Sequence, residues 1–176
     1  MGTKSDDKLD KMVAITTAII SVLLAIASIL GNKAGGDSTL YLIKSTDQWS
    51  YYQSKSIKLN LYESNKEMLM AELANPANPK EYSDAIKKKI SDFDANINKY
   101  NKEKQNIQAE AQKFQALSEH YNDKSDNYNY ANGFYQVSII LAAIALLAKK
   151  RYMWILSCIL GIAGLGLSVY AFLLPV

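Results

Sequence analysis

Residues 12–30, 134–148 and 152–176 form three apolar runs that contain no Asp, Glu, Lys or Arg. This pattern constrains the fold more than any other feature of the chain. An α-helix rises ~1.5 Å per residue, so about 20 apolar residues cross the ~30 Å hydrocarbon core of a bilayer. In lipid the backbone must satisfy its own hydrogen bonds, which makes such runs helices. The first and third runs are long enough alone. The middle run is shorter, and residues 130–134 extend it. The whole-chain mean hydropathy of −0.12 hides this division because residues 37–130 are polar. The reading is an all-α membrane protein with three transmembrane helices and a long extramembrane antiparallel helical hairpin of coiled-coil type. Its segments are an N-terminus at 1–11, spans at 12–30, 134–148 and 152–174, a hairpin at 31–133 turning at 75–79, and a basic turn at 149–151.

Charge placement orients the spans. Lys and Arg in short loops stay on the cytoplasmic side, whereas acidic residues count for little. Lys149, Lys150 and Arg151 place the turn between the second and third spans in the cytoplasm. Lys4, Lys8 and Lys11 place the N-terminus there too, despite Asp6, Asp7 and Asp10. The hairpin and the C-terminus are then expected outside, in the periplasm of a bacterial inner membrane. The first run exceeds the 7–15 apolar residues of a signal peptide and lacks a small-residue cleavage site, so it reads as an uncleaved anchor. Gly2 does not begin a myristoylation signal, since Asp6 stands where Ser or Thr is needed. The net charge of +3 comes from the membrane-flanking positions. Residues 37–130 carry 13 Lys against 14 Asp and Glu, too neutral for a nucleic-acid surface.

The hairpin turn is Asn75-Pro76-Ala77-Asn78-Pro79. Two prolines stop one helix, and Asn78, Pro79 and Glu81 supply the N-cap, first position and capping box of the next. Beyond it, Ile86, Ile90, Phe93, Ile97, Tyr100, Lys104, Ile107, Ala111, Phe114, Ser118 and Tyr121 alternate in steps of four and three. That is a heptad seam interrupted at Lys104 and Ser118. The helix continues toward the second span, with Gly133 as the one place for a break, and its extramembrane part would rise roughly 75 Å. On the helix before the turn, Leu42, Trp49, Tyr52, Leu59, Met70 and Leu73 form the expected packing face, with Ile57, Leu61 and Met68 beside it. A strip that wide implies more than one neighbour. Folding at the turn is expected to bring Trp49 and Tyr52 near Phe114 and Ala111. Gly31, Gly35 and Gly36 read as a flexible joint after the first span.

No constellation for catalysis, cofactor or metal binding emerges. His120 is the only histidine and Cys158 the only cysteine. The first reads as a solvated helix residue, the second as a small hydrophobe in a span. Lys87-Lys88-Lys89 reads as a solvated face near the hairpin tip. Trp49, Tyr51 and Tyr52 have two readings that stay open, hairpin core or intersubunit anchor. Tyr128, Tyr130, Phe134 and Tyr135 read as an outer aromatic belt, with Trp154 as the inner counterpart. Ser157, Gly161, Gly164 and Ser168 form a small-residue stripe that permits close helix packing, within the protomer or between protomers. Thr17, Ser21 and Ala25 form a similar stripe on the first span. Charge-free spans weigh against a pump or transporter.

The stretch Asp47-Gln48-Trp49-Ser50-Tyr51-Tyr52-Gln53-Ser54-Lys55-Ser56-Ile57-Lys58, with Tyr62-Glu63 after it and residues 149–154 in the basic turn, resembles the bacterial membrane-protein family catalogued as domain of unknown function 4337. The resemblance covers nearly the whole chain. It implies a bacterial inner-membrane location and singles out Asp47, Gln48, Trp49, Tyr51, Tyr52, Gln53, Lys55 and Lys58, but supplies no activity. Together with Phe114 these are the expected interaction residues. The functional expectation is a non-enzymatic scaffold or assembly protein, without cofactor or nucleic-acid partner, that homo-oligomerises through its spans and hairpin in the lipid bilayer. The alternatives are an accessory subunit bound to another membrane protein, or a ring-shaped pore lined by Thr16, Thr17 and Ser21.

Overall fold

The computed structural model describes residues 4–175, with side chains from residue 8. Residues 1–3, the side chains of Lys4, Asp6 and Asp7 used above for orientation, and Val176 lie outside the described residues. The chain forms three helices, α1 (Lys4–Leu73), α2 (Lys80–Ala148) and α3 (Arg151–Leu173), and the described residues contain no strand. Each helix is long and apolar enough to cross a membrane. Contacts divide the chain into two units. One contains Tyr41–Ala116; the other contains α1 up to Leu40, α2 from Leu117, and α3.

In the Tyr41–Ala116 unit, α1 and α2 run antiparallel. Partners on α2 fall in number as those on α1 rise. Tyr41 stacks on Phe114 (6.2 Å between centroids), and the Ser45 hydroxyl donates to the Ala111 carbonyl (3.0 Å). Tyr62 lies between Phe93 (5.4 Å) and Tyr100 (5.6 Å), and Lys66 pairs with Asp94 at 2.6 Å. Phe114 therefore meets Tyr41 rather than Trp49 or Tyr52, and the expected register is off by about two turns. The buried serine bond and the aromatic pairs set it.

Every seam position from Ile86 to Tyr121 on α2 is buried or half-buried, the two polar interruptions included. Lys104 is accommodated because its stem lies along the seam while its ammonium sits 4.8 Å from the centre of the Tyr52 ring.

The turn departs from expectation at its cap. Asn78 does not cap α2. Its amide donates back to the Glu72 carbonyl (2.7 Å), while Asn75 Oδ1 accepts from the Ala77 N–H (3.1 Å). The last carbonyls of α1 have no helical partner and draw that donor. The first α2 acceptor is the Pro79 carbonyl, reached by the Ser83 N–H at 3.0 Å. The Asn78 N–H that Glu81 would have to accept from in a capping box donates instead to the Asn75 carbonyl (3.3 Å), so the box does not close.

In the other unit all three helices meet. Its main core holds Ile20, Ala27, Tyr128, Ala131, Tyr135 and Ala171; a second cluster holds Val13, Ala142 and Ala145. The glycine joint does not exist, because α1 passes straight through Gly31, Gly35 and Gly36. A Cβ on Gly31 would lie 3.0 Å from the Tyr128 Cβ, and one on Gly35 3.2 Å from the Ser125 hydroxyl. These two glycines allow α2 to approach closely. Likewise α2 continues unbroken through Gly133.

The aromatic belt is half wrong. Tyr128 and Tyr135 continue the seven-residue spacing of Ile107, Phe114 and Tyr121 into the core and are fully buried, whereas Tyr130 and Phe134 face outward. Trp154 is half-buried and donates its indole N–H to the Thr16 hydroxyl (3.1 Å). Between α2 and α3, Lys149 adopts a left-handed φ of 52° and its ammonium contacts both Asp10 carboxylate oxygens at 2.6 Å.

Candidate interaction surfaces

The motif stretch of α1 is split by the helix into an inward and an outward face. Lys55 and Tyr52 point toward α2. The Lys55 ammonium pairs with Glu103 at 2.6 Å and lies 5.1 Å from the ring centres of both Tyr51 and Tyr100. The Glu103 carboxylate, and after it the Tyr51 hydroxyl, raise the Lys55 pKa above the ordinary lysine value. Reciprocally, the hydrogen bond from Lys55 lowers the Glu103 pKa. Trp49 is half-buried and packs edge-on against Tyr52 (5.6 Å). Gln48 is half-buried as well. Asp47, Gln53 and Lys58 are exposed, and Tyr51 is half-exposed. Phe114 belongs to a separate group, with Tyr41 and with the Lys44 ammonium 5.7 Å from its ring.

The outward face of α1 carries an unpartnered apolar strip. Leu42, Ile43, Ile57, Leu61, Met68 and Met70 are each at least half-exposed, so Leu42 and Met70 do not belong to the packing face expected of them. Ile57, Leu61 and Met68 recur at spacings of four and seven, which places them on one side of the helix. The matching surface of α2 differs in kind. Among the described residues between Tyr82 and Tyr130, α2 exposes no large hydrophobic side chain.

The small-residue stripe of α3 is used within the chain. Ser157 and Ser138 hydrogen-bond reciprocally, Ser138 Oγ to the Ser157 carbonyl at 2.6 Å and Ser157 Oγ to the Ser138 carbonyl at 2.9 Å. A Cβ on Gly161 would sit 3.0 Å from Ile20 Cδ1; one on Gly164, 2.9 Å from Tyr135 Cε1. Ser168 shares a hydrogen bond with the Tyr135 hydroxyl (3.1 Å). Thr16, a lining residue under the pore reading, is engaged with Trp154 and with the Met12 carbonyl (2.8 Å).

A second reciprocal serine pair had no place in the sequence reading as a bond. Ser38 and Ser118 each donate to the other's carbonyl at 2.9 Å. With Ser125 donating to the Gly31 carbonyl (3.1 Å), it draws the helix backbones together. The available signal was Ser118 at a seam position, where it looked like an interruption. His120 is half-buried rather than solvated, and its Nε2 is buried without a partner. No group of three or more His, Cys, Asp or Glu able to hold a metal occurs among the described residues.

These features define an all-helical chain with three helices long and apolar enough to cross a membrane. Residues 9–174 match the family described as Domain of unknown function (DUF4337), and the chain belongs to that family. No curated protein matches the chain, and no solved structure does.

Proposed function

We propose that this protein is a non-enzymatic inner-membrane scaffold that homo-oligomerises, with the outer face of α1 as its contact surface. Its three helices cross the bilayer, with the N-terminus and the Lys149-Lys150-Arg151 turn in the cytoplasm, and Tyr41–Ala116 is a periplasmic coiled-coil hairpin. The observation that carries the reading is the contrast between the two helices of that hairpin. Of the two, only α1 exposes a strip of large aliphatic side chains. Full burial of one such side chain stabilises by about 1.5–3 kcal/mol. A second copy presenting the same strip would bury both strips at once, as a two-fold interface requires. The small-residue stripe of α3 is already occupied inside the chain, which leaves α1 as the outward contact.

Cysteine cross-linking in membranes tests this. With Cys158 replaced by Ala, Leu61→Cys and Ile57→Cys are expected to form disulfide-linked dimers, whereas Glu110→Cys on the exposed side of α2 is not. Cross-linking of Leu61→Cys to a different polypeptide at fixed ratio would make the chain an accessory subunit. Absence of any cross-link from either α1 position would remove the reading.

A further inference from the structure

A charged cavity lies where the apolar part of α1 ends. Lys33 and Asp37 reach it from α1, Lys124 from α2, and Phe172 from the end of α3; its volume is about 240 Å³. Lys33 and Asp37 are one helical turn apart, on the same face of α1. None of Lys33, Asp37 and Lys124 forms an ion pair among the described residues, although Lys124 and Asp37 are half-buried. Half-buried charges normally find partners, so Asp37 and Lys124, with the exposed Lys33 beside them at the same cavity, call for a ligand of mixed charge.

Below the cavity lies a second one of about 180 Å³. Leu30, Tyr128 and Phe172 line both, so the two are adjacent and share a wall. The lower one is walled by Leu23, Ile26, Leu165 and Val169, and almost none of its wall is polar. A polar site of two cations and one anion thus borders an apolar slot at the level where α1 leaves its apolar run.

We propose that this paired cavity binds an aminophospholipid such as phosphatidylethanolamine. The phosphate lies between the Lys33 and Lys124 ammonium groups, the lipid's primary ammonium donates to the Asp37 carboxylate, and one acyl chain occupies the slot between α1 and α3. Charge complementarity selects this occupant. Two lysines alone would suit any phosphate, but Asp37 would stand unpaired beside phosphatidylglycerol, and the quaternary nitrogen of phosphatidylcholine has no N–H to give it. The inference rests on the reading that these helices cross a bilayer.

Native mass spectrometry of the delipidated full-length protein, titrated separately with phosphatidylethanolamine, phosphatidylglycerol and phosphatidylcholine, tests it. The wild type is expected to retain phosphatidylethanolamine at the lowest lipid concentration. The Lys33→Ala/Lys124→Ala variant should weaken that retention by about tenfold or more, since charge-assisted hydrogen bonds are lost. Asp37→Asn, which keeps the side-chain shape, should abolish the preference over phosphatidylglycerol while binding persists. Equal retention of the three lipids by the wild type, or unchanged retention by the double-lysine variant, would overturn the proposal. Alkaline carbonate extraction of membranes separates the two readings. Protein that stays in the pellet without lipid preference refutes this site alone, whereas protein released into the supernatant refutes the bilayer reading beneath it.

Discussion

Gly164 and Gly166 lie two residues apart on α3, yet the same substitution should destabilise only the first. A Cβ added at Gly164 would stand 2.9 Å from Tyr135 Cε1, 3.0 Å from its Cδ1 and 3.2 Å from the Ala131 carbonyl oxygen. Ordinary carbon–carbon separations are about 3.5–4.0 Å, so the overlap is a substantial fraction of an ångström. Tyr135 cannot yield readily. Its ring is fully buried and its hydroxyl is held by Ser168. The Ala131 oxygen is backbone and cannot yield at all without α2 moving. Gly164→Ala must therefore push α3 away from α2 and strain the Ser138–Ser157 pair about two turns away. Overpacking of this kind costs about 1–3 kcal/mol. For a chain of this size that is a fall of about 2–4 °C in Tm per kcal/mol. At Gly166 an added Cβ has nothing within 4 Å, and no loss is expected. Thermal unfolding of both variants in the same mild detergent, read by size-exclusion fluorescence, gives the comparison. Equal Tm values would refute the claim that Gly164 is a close-packing position and, with it, the internal use of the α3 stripe.

Two further outcomes follow from the hydrogen bonds. Ser138→Ala leaves the Ser157 carbonyl without its buried donor and should destabilise by about 1–3 kcal/mol; a double-mutant cycle with Ser157→Ala should show coupling of at least about 0.5 kcal/mol, and additivity would mean that the reciprocal pair is not formed. The Lys55–Glu103 pair predicts a pH window. Glu103 is lowered on folding, so its contribution is present above the ordinary carboxylate pKa and lost as pH falls through the lowered value; Lys55 is raised, so its contribution is present below the ordinary lysine pKa and lost as pH rises through the raised value. The Tm difference between wild type and Glu103→Gln should accordingly be constant near neutral pH and shrink on the acid side, and a difference unchanged down to strongly acidic pH would contradict the pairing.

The helices were legible in the sequence because each rests on a signal that local chemistry sets. Charge-free runs mark the apolar segments, prolines mark the turn, and the seven-residue spacing from Ile86 to Tyr121 marks the buried face of α2. What could not be read depends on contacts between distant residues. Tyr128 and Tyr135 look like interfacial tyrosines by composition; only the continued heptad, followed past Tyr121, shows that they point inward. Gly31 and Gly35 look like a hinge because glycine permits one, but opposite Tyr128 and Ser125 the missing side chain serves close approach. Ser118 looks like a fault in a seam until it and Ser38 each supply the other's carbonyl with a donor. The motif stretch was legible as a distinctive sequence, but its division into Tyr52 and Lys55 facing α2 and Asp47, Gln53 and Lys58 facing outward follows from helix phase against a partner 50 residues away. The apolar strip of Ile57, Leu61 and Met68 was visible from spacing alone. Its being uncovered, while α2 has no counterpart, was not.

The most direct test of self-assembly is the mass of the complex carried out of native membranes in lipid nanodiscs, with every polypeptide in it identified. The account predicts a single species whose protein mass is an integer multiple, two or more, of the 19.6 kDa chain, and which falls to one copy when Ile57, Leu61 and Met68 are replaced by Glu. A monomeric wild type, or a second polypeptide at fixed stoichiometry, would contradict it.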